Sequence, residues 1–115
     1  MCQKAVGGPF AALAQVDIAD FTWTRGQPAS YDSSSMARRG FCAACGTPLT
    51  YQGLPGSKID VTIGSLDTPA AVPPVGQYGV ESRLPWFVTL PALPAVETEE
   101  KFAGLVRHQH PDHET

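Results

Sequence analysis

The sequence predicts an all-β domain, for three reasons. Eleven Pro and eleven Gly are spread along the 115 residues, and this composition favours short strands with tight turns over a helical bundle. Residues 58–64 alternate most clearly, with Ile59, Val61 and Ile63 on one face of a predicted strand. Residues 42–46 form a Cys-x-x-Cys-Gly turn that leads into a strand-like run.

The first part of the chain predicts one helical turn and two strands. Residues 2–9 favour a single helical turn that ends at a Gly-Gly-Pro sequence. The apolar run 10–16 predicts a buried strand. Residues 20–26 alternate aromatic and polar side chains and stop at Gly26, which predicts a half-buried strand or strand end.

The middle of the chain predicts most of the sheet. Residues 29–33 and 37–42 flank a Ser-Ser-Met sequence and predict a hairpin that leads to the cysteine turn. Residues 47–52 leave that turn as a strand. We expect the strand at 58–64 to lie centrally in a sheet, because its β-branched side chains point inward at every second position. Residues 77–81 are a further strand candidate.

The remaining segments connect or end the fold. Residues 65–69 indicate a turn or helix start capped by Ser65 or Asp67. A Pro-anchored aromatic cluster at 84–87 precedes one helical candidate at 97–106. We find no domain boundary, so we expect a single domain over residues 1–107 and a polar tail over 108–115.

Composition and charge exclude several functions. The net charge of −3 gives no electrostatic footprint for nucleic acid or an anionic membrane. No apolar run reaches the about 20 residues that a membrane span needs, and no leader pattern is present. Three cysteines indicate reduced thiols or a metal site rather than a disulfide framework, and therefore a cytoplasmic protein.

The Cys42–Cys45 pair has the spacing of half a structural zinc site, which needs four ligands. The alternative is a metal-free turn with two reduced thiols or a local disulfide. A redox Cys-x-x-Cys is disfavoured, because Pro48 and the strand-like run after it replace the helix that would lower the thiol pKa.

The other candidate ligands are Cys2 and three histidines, His108, His110 and His113. Cys2 is either a zinc ligand with a catalytic role or an N-terminal thiol outside any site. Closely spaced imidazoles chelate transition metals, although a disordered polar tail is the expected state of the histidines.

Several other side chains have a functional and a structural interpretation. Arg38 and Arg39 are candidate partners for a carboxylate, with solvated surface as the alternative. Asp67 is a candidate turn cap. The aromatic side chains are core and rim residues in one interpretation and a substrate platform in the other. They are Trp23, Tyr78, Trp86 and Phe87.

The order of the motifs resembles the glutathione-dependent formaldehyde-activating enzyme family, which includes the centromere protein V-like domains. The resemblance covers about residues 2–92. The motifs that carry it, in chain order, are Cys2-Gln3-Lys4-Ala5-x-Gly7-Gly8, Phe21-x-Trp23-x-x-Gly26, Arg39-Gly40-Phe41-Cys42-x-x-Cys45-Gly46-Thr47-Pro48-Leu49, Gly64-Ser65-Leu66-Asp67-x-Pro69, Pro73-Pro74, Pro85-Trp86 and Leu90-Pro91.

This resemblance implies stacked antiparallel sheets, called a β-tent, with a zinc-knuckle turn. In the family, outer cysteine pairs hold a structural zinc, and a middle trio holds a second zinc with an open coordination position. Cys42 and Cys45 match the final structural pair, and Cys2 matches the last member of the trio. The remaining positions would lie before Met1, so we expect the chain to be N-terminally truncated relative to the family.

The resemblance implies a zinc-dependent carbon–sulfur lyase that adds a small thiol such as glutathione to a small aldehyde such as formaldehyde. The alternative is a non-catalytic β-tent binding module or remnant with at most one metal. For the chain as printed we expect partial or absent Zn²⁺ occupancy and no measurable catalysis. We also expect a homodimer with residues 10–16 in or beside the interface, because missing first strands would leave an unpaired edge.

Overall fold

The fold is built on one antiparallel sheet. The computed structural model describes residues 1–98, 104–106 and 108–109. A short helix, α1 (Cys2–Val6), precedes the strands. The strands are β1 (Leu13–Asp17), β2 (Ala29–Ser34), β3 (Ala37–Phe41), β4 (Pro48–Gly53) and β5 (Lys58–Thr62). Their order across the sheet is β1-β5-β4-β3-β2, so the all-β prediction is confirmed.

The strands predicted most clearly are the interior ones. β5 lies between β1 and β4, which confirms that this strand is internal to the sheet. Ile59 is buried at 6% exposure, and it pairs in register with Val16 of β1. β2 and β3 form the predicted hairpin, and β4 follows the cysteine turn as expected.

The helix α1 confirms the predicted turn at the start of the chain. Gly7 ends it in the left-handed region, with φ 68°, and its N–H donates to the Gln3 carbonyl oxygen over 2.9 Å. Gly tolerates this backbone conformation without a steric penalty. The chain then turns towards β1 at the edge of the sheet.

Two strand predictions in the first part of the chain need correction. The strand in residues 10–16 starts only at Leu13 and is an edge strand, so Val16 is 38% exposed rather than buried. Residues 20–26 form no strand. Ile18–Asp20 is a 3₁₀ helix, and the rings of Phe21 and Trp23 pack edge to face at 4.9 Å. The alternation of aromatic and polar side chains therefore occurs in a loop, since no strand of the sheet pairs with this segment.

The segments after β5 are short 3₁₀ helices. Residues 77–81 were predicted as a strand, but Gly79 is left-handed and Val80–Ser82 is helical. Ser65 does not cap a helix, because its hydroxyl donates to the Thr62 carbonyl oxygen. The next helix, Pro69–Ala71, starts after Thr68 and has no side-chain cap, so Asp67 does not cap it either.

The C-terminal part differs from its prediction where it is described. Pro85–Ala92 is a 3₁₀ helix whose Phe87 ring contacts Phe10 edge to face at 5.5 Å. In the segment predicted as a helix, residues 97–98 and 104–106 are not helical, and 99–103 lie outside the described residues. In the part of the chain that the structure describes, no helix is long and apolar enough to cross a bilayer.

The core is small, and one face of the sheet carries a row of polar side chains. Among the described residues, the buried apolar side chains are Ala37, Ile59 and Ile63. One residue from each strand pairs in register to form a line across the sheet, which we call the cross-strand row. Its members, in spatial order, are Tyr31, Arg39, Tyr51, Asp60 and Gln15. Directly paired residues point to the same face, so the row lies on one side of the sheet, the side on which Arg39 contacts Cys2 of α1.

Candidate functional site

The cysteine turn joins β3 to β4 through two backbone hydrogen bonds. The Gly46 N–H donates to the Cys42 carbonyl oxygen over 2.7 Å, and the Cys42 N–H donates to the Thr47 carbonyl oxygen over 2.9 Å. Gly46 has φ 78°, a conformation that β-carbon-bearing residues rarely adopt. The turn therefore needs Gly immediately after the second cysteine, as the sequence pattern indicated.

The thiols of this turn are half-buried and close to protein hydrogen-bonding groups. The Cys45 sulfur lies 3.0 Å from the Thr47 hydroxyl oxygen. Two thiolates supply half of the ligands that a structural zinc site requires. In the described ranges, no group of three or more His, Cys, Asp or Glu side chains comes together in a way that could hold a metal ion. The described residues thus fit half of a zinc site and not a complete one.

Cys2 is the first residue of α1, and its side chain contacts an arginine of the sheet. The Arg39 Nη2 donates to the Cys2 sulfur over 3.3 Å, and the Arg39 Nε donates to the Ser33 hydroxyl oxygen over 3.1 Å. The guanidinium carbon lies 4.9 Å from the centroid of the Tyr51 ring, in cation–π geometry. Arg39 thus connects the first helix to three strands of the sheet, β2, β3 and β4.

A pocket of about 300 Å³ opens between α1 and this face of the sheet. Three members of the cross-strand row contribute to its wall, namely Tyr31, Arg39 and Tyr51. Apolar side chains form much of the remainder, including Val6, Leu13 and Phe41. We call this the α1 pocket. Its size lies at the lower end of the range for small-molecule sites.

Asp60 belongs to the same row, one strand beyond Tyr51. Partial burial raises the pKa of its carboxyl group, and a side-chain hydrogen bond with Gln15 opposes that rise. Burial acts in this direction because a low-polarity environment disfavours the charged form. The row therefore combines a half-buried cation in β3 with a carboxyl group in β5 that retains its proton more readily than usual.

The opposite face of the sheet has a different character. Arg38 donates to the Asp32 carboxylate over 2.8 Å, and that hydrogen bond and charge raise the pKa of Arg38. A second pocket, of about 260 Å³, lies there and includes Trp23 and Gln52 in its lining. Arg38 and Arg39 are consecutive residues of β3, so their side chains point to opposite faces of the sheet.

The structure places the predicted site residues in separate locations. Cys42 and Cys45 lie in the turn, whereas Cys2 lies against Arg39, and the described residues do not form one cluster from them. His108 is exposed, while His110 and His113 lie outside the described residues. Trp86 is 49% exposed and does not line the α1 pocket. Of the two candidate arginines, only Arg39 lines that pocket.

Three residues of this face were not predicted as site residues from the sequence, namely Tyr31, Tyr51 and Asp60. Tyr51 and Asp60 each lie in a correctly predicted strand, but their adjacency depends on the register between β4 and β5. Alternation within a strand shows which residues share its face. It does not show which residue of a distant strand lies opposite.

A comparison with protein-family models gives one result for this chain. A model described as glutathione-dependent formaldehyde-activating enzyme matches residues 1–82. That range includes the five strands, the three cysteines and every residue of the α1 pocket. The comparisons with curated proteins and with solved structures gave no match.

Proposed function

The chain belongs to the glutathione-dependent formaldehyde-activating enzyme family, and from this membership we propose that its ligands are adducts of a small thiol with a small aldehyde. Glutathione and formaldehyde are the pair that the family description names. The observation that carries the proposal is the family match over residues 1–82, since it covers the whole sheet and the α1 pocket. The first candidate function is that of a zinc-binding carbon–sulfur lyase-like domain.

The reaction class is a reversible addition. The thiolate sulfur attacks the carbonyl carbon, a carbon–sulfur bond forms, and the carbonyl π electrons move to oxygen, which accepts a proton. The lyase direction reverses each of these changes. In this chain the α1 pocket offers an apolar wall for the organic part of such an adduct and the Arg39 guanidinium for a negatively charged part.

Zinc binding is part of the proposal, with Cys42 and Cys45 as the ligands. The support is their spacing and the backbone turn at Gly46 that follows the second cysteine. Because the described residues supply no third ligand beside them, we expect partial occupancy.

A second candidate is a non-catalytic module that binds such adducts. The observation in its favour is the position of Cys2, whose sulfur accepts a hydrogen bond from Arg39 instead of joining the thiols of the turn. A catalytic zinc site needs three protein ligands and an open position. For the printed chain we therefore expect binding without catalysis.

The expected cellular location is the cytoplasm. Cys2 and Cys42 are not in disulfides, and a reducing compartment keeps thiols in this state. Fractionation of cells that express the tagged chain tests this location.

A titration followed by NMR tests the proposed ligand class. The ¹⁵N-labelled chain is titrated with glutathione alone, then with glutathione plus formaldehyde, and its amide chemical shifts are recorded. We expect the mixture to shift resonances of α1, β3 and β4. The control is the Arg38→Gln variant, which changes a cation on the opposite face of the sheet. If neither titration shifts these resonances, the proposed ligand class is wrong.

The rate of the same reaction separates the two candidates. NMR exchange spectroscopy measures how fast glutathione and its hydroxymethyl adduct interconvert, with and without protein and with added Zn²⁺. We expect no acceleration by the chain. A rate that depends on protein and zinc, and that Cys2→Ser abolishes, would establish catalysis and exclude the non-catalytic candidate.

A further inference from the structure

Arg39 differs from two neighbouring cations of the sheet in having no carboxylate partner among the described residues. Arg38 pairs with Asp32 over 2.8 Å, and Lys58 pairs with Asp17. Both of those pairs are about half exposed and solvated. Arg39 is partly buried, and its recorded partners are a hydroxyl group, a thiol and an aromatic ring.

A partly buried guanidinium with uncharged partners favours the binding of an anion. Removal of a charge from water is costly unless an opposite charge or several hydrogen bonds replace the lost solvent. Arg presents five N–H donors in a planar fork, a geometry that matches the two oxygens of a carboxylate. Nε and Nη2 of Arg39 contact Ser33 and Cys2, which fix the plane of the group beside the pocket.

The α1 pocket gives this cation an apolar setting. The residues that line it include Val6, Leu13 and Phe41, and Arg39 is the charged residue among the lining residues that the structure describes. The Tyr51 ring lies beneath the guanidinium and extends into the same wall. An anionic head on Arg39 would therefore have a hydrocarbon body lying against apolar side chains.

We propose that the α1 pocket binds a small amphipathic carboxylate, with its carboxylate group on Arg39 and its apolar body against Val6, Leu13 and Phe41. The volume of about 300 Å³ suits a ligand of modest size, since pockets for drug-sized ligands start near this value. The inference does not rest on the proposed function, because a ligand without a thiol or an aldehyde satisfies it.

Two groups of the protein itself could compete with a ligand for Arg39. Asp60 lies in the cross-strand row, but Tyr51 of β4 lies between it and Arg39. Cys2 contacts Arg39 directly, and its sulfur occupies one donor of the guanidinium. A carboxylate ligand must therefore bind beside the thiol, and removal of that thiol leaves the guanidinium available to the ligand.

The test uses phenylacetate and phenylacetamide, two probes of nearly equal size that differ in charge. The ¹⁵N-labelled chain is titrated with each probe, and dissociation constants are obtained from amide shifts of α1, β3 and β4. Hydrogen bonds to a charged group are stronger than those between neutral groups, so we expect phenylacetate to bind at least about tenfold more tightly than phenylacetamide. Equal affinity for the two probes would overturn the proposal.

Three variants complete the test. Arg39→Gln should weaken phenylacetate binding by about tenfold or more, and Arg39→Lys should give an intermediate affinity, because it keeps the charge without the planar fork. Arg38→Gln, the neighbouring cation on the opposite face, should leave the affinity within about twofold. Amide shift dispersion confirms the folding of each variant. Wild-type affinity in Arg39→Gln, or equal losses in the Arg38 and Arg39 variants, would contradict the assignment.

The Cys2→Ser variant addresses the competing thiol. We expect it to bind phenylacetate as tightly as the wild type or more tightly. A loss of binding in Cys2→Ser, with the fold intact, would make the sulfur the ligand-binding group and would exclude Arg39 as the anchor.

Discussion

Gly40 and Thr50 lie directly opposite each other on β3 and β4, and a methyl group at position 40 would overlap the Thr50 hydroxyl oxygen. Both residues are buried, with the ring of Pro28 near the same position. The backbone of Gly40 does not have positive φ, so its small size is required by space and not by conformation. This close approach lets β3 and β4 pair beside the cysteine turn.

We predict that Gly40→Ala lowers the free energy of unfolding by about 1–3 kcal/mol, the usual cost of overpacking a filled site. Urea titration monitored by circular dichroism measures the change. Gly53→Ala is the matched control, because an added methyl group there has nothing within 4 Å. The double variant Gly40→Ala/Thr50→Ala should recover part of the loss, and equal losses at Gly40 and Gly53 would contradict the explanation.

The carboxyl group of Asp60 should make stability depend on pH. Burial raises its pKa above the ordinary 3.8, so the folded chain binds this proton more tightly than the unfolded chain. The resulting stabilisation is complete below 3.8 and is lost as the pH rises through the folded pKa. Asp60→Asn should therefore stabilise the protein at neutral pH and have less effect at acidic pH.

Urea unfolding of the wild type and of Asp60→Asn, at acidic and at neutral pH, measures the difference in their free energies of unfolding. Asp67→Asn, which changes an exposed carboxyl group, is the control and should not reproduce the pH-dependent difference. A destabilisation by Asp60→Asn at neutral pH would show that the charged form contributes favourable contacts in the row.

Zinc content should depend on the turn and not on Cys2. We predict less than one equivalent of zinc in the purified chain, because two thiolates supply half of the ligands that a structural site requires. Elemental analysis by mass spectrometry should show that Cys42→Ser and Cys45→Ser each lose the bound zinc, whereas Cys2→Ser keeps it. Two stoichiometric zinc ions per chain would refute this prediction.

The edge strand β1 should mediate self-association. It pairs with β5 on one side, has no bulge, and lies between the exposed side chains Phe10 and Ile18. The other edge, β2, has a register shift between Asp32 and Ser34, a feature that discourages edge pairing. A two-fold dimer through β1 is therefore expected.

Sedimentation velocity at tens of micromolar measures the oligomeric state. Val16→Lys places a charge on the β1 edge and should shift the chain to a monomer, while Ser30→Lys on β2 should leave the dimer intact. A wild-type monomer under these conditions would exclude the predicted interface.

Local sequence patterns correctly predicted strands that pair with the strand next to them in the chain. The β2–β3 hairpin depends on residues a few positions apart, and β5 was evident because Ile59 and Val61 alternate with polar residues. Residues 20–26 show a similar alternation but form a loop, since pairing with a distant strand is not encoded in the segment itself. The predicted cysteine turn matches the structure for the local reason that Gly46 has positive φ.

The candidate site was harder to predict because its residues come together only through the register between neighbouring strands. Arg39 was recognised as a possible carboxylate partner, but the sequence did not distinguish it from Arg38. The difference arises from the pleat of β3, which directs the two guanidinium groups to opposite faces. Cys2 was expected to be a metal ligand or a surface thiol, and its contact with Arg39 joins residues 37 positions apart.

The cross-strand row also restricts how the chain can change in length. Each of its five members comes from a different strand, so a single-residue insertion within a strand would turn the residues beyond it to the opposite face. Insertions in the connecting loops leave the pairing unchanged. Homologues that keep the α1 pocket should therefore differ in loop length and not in strand length.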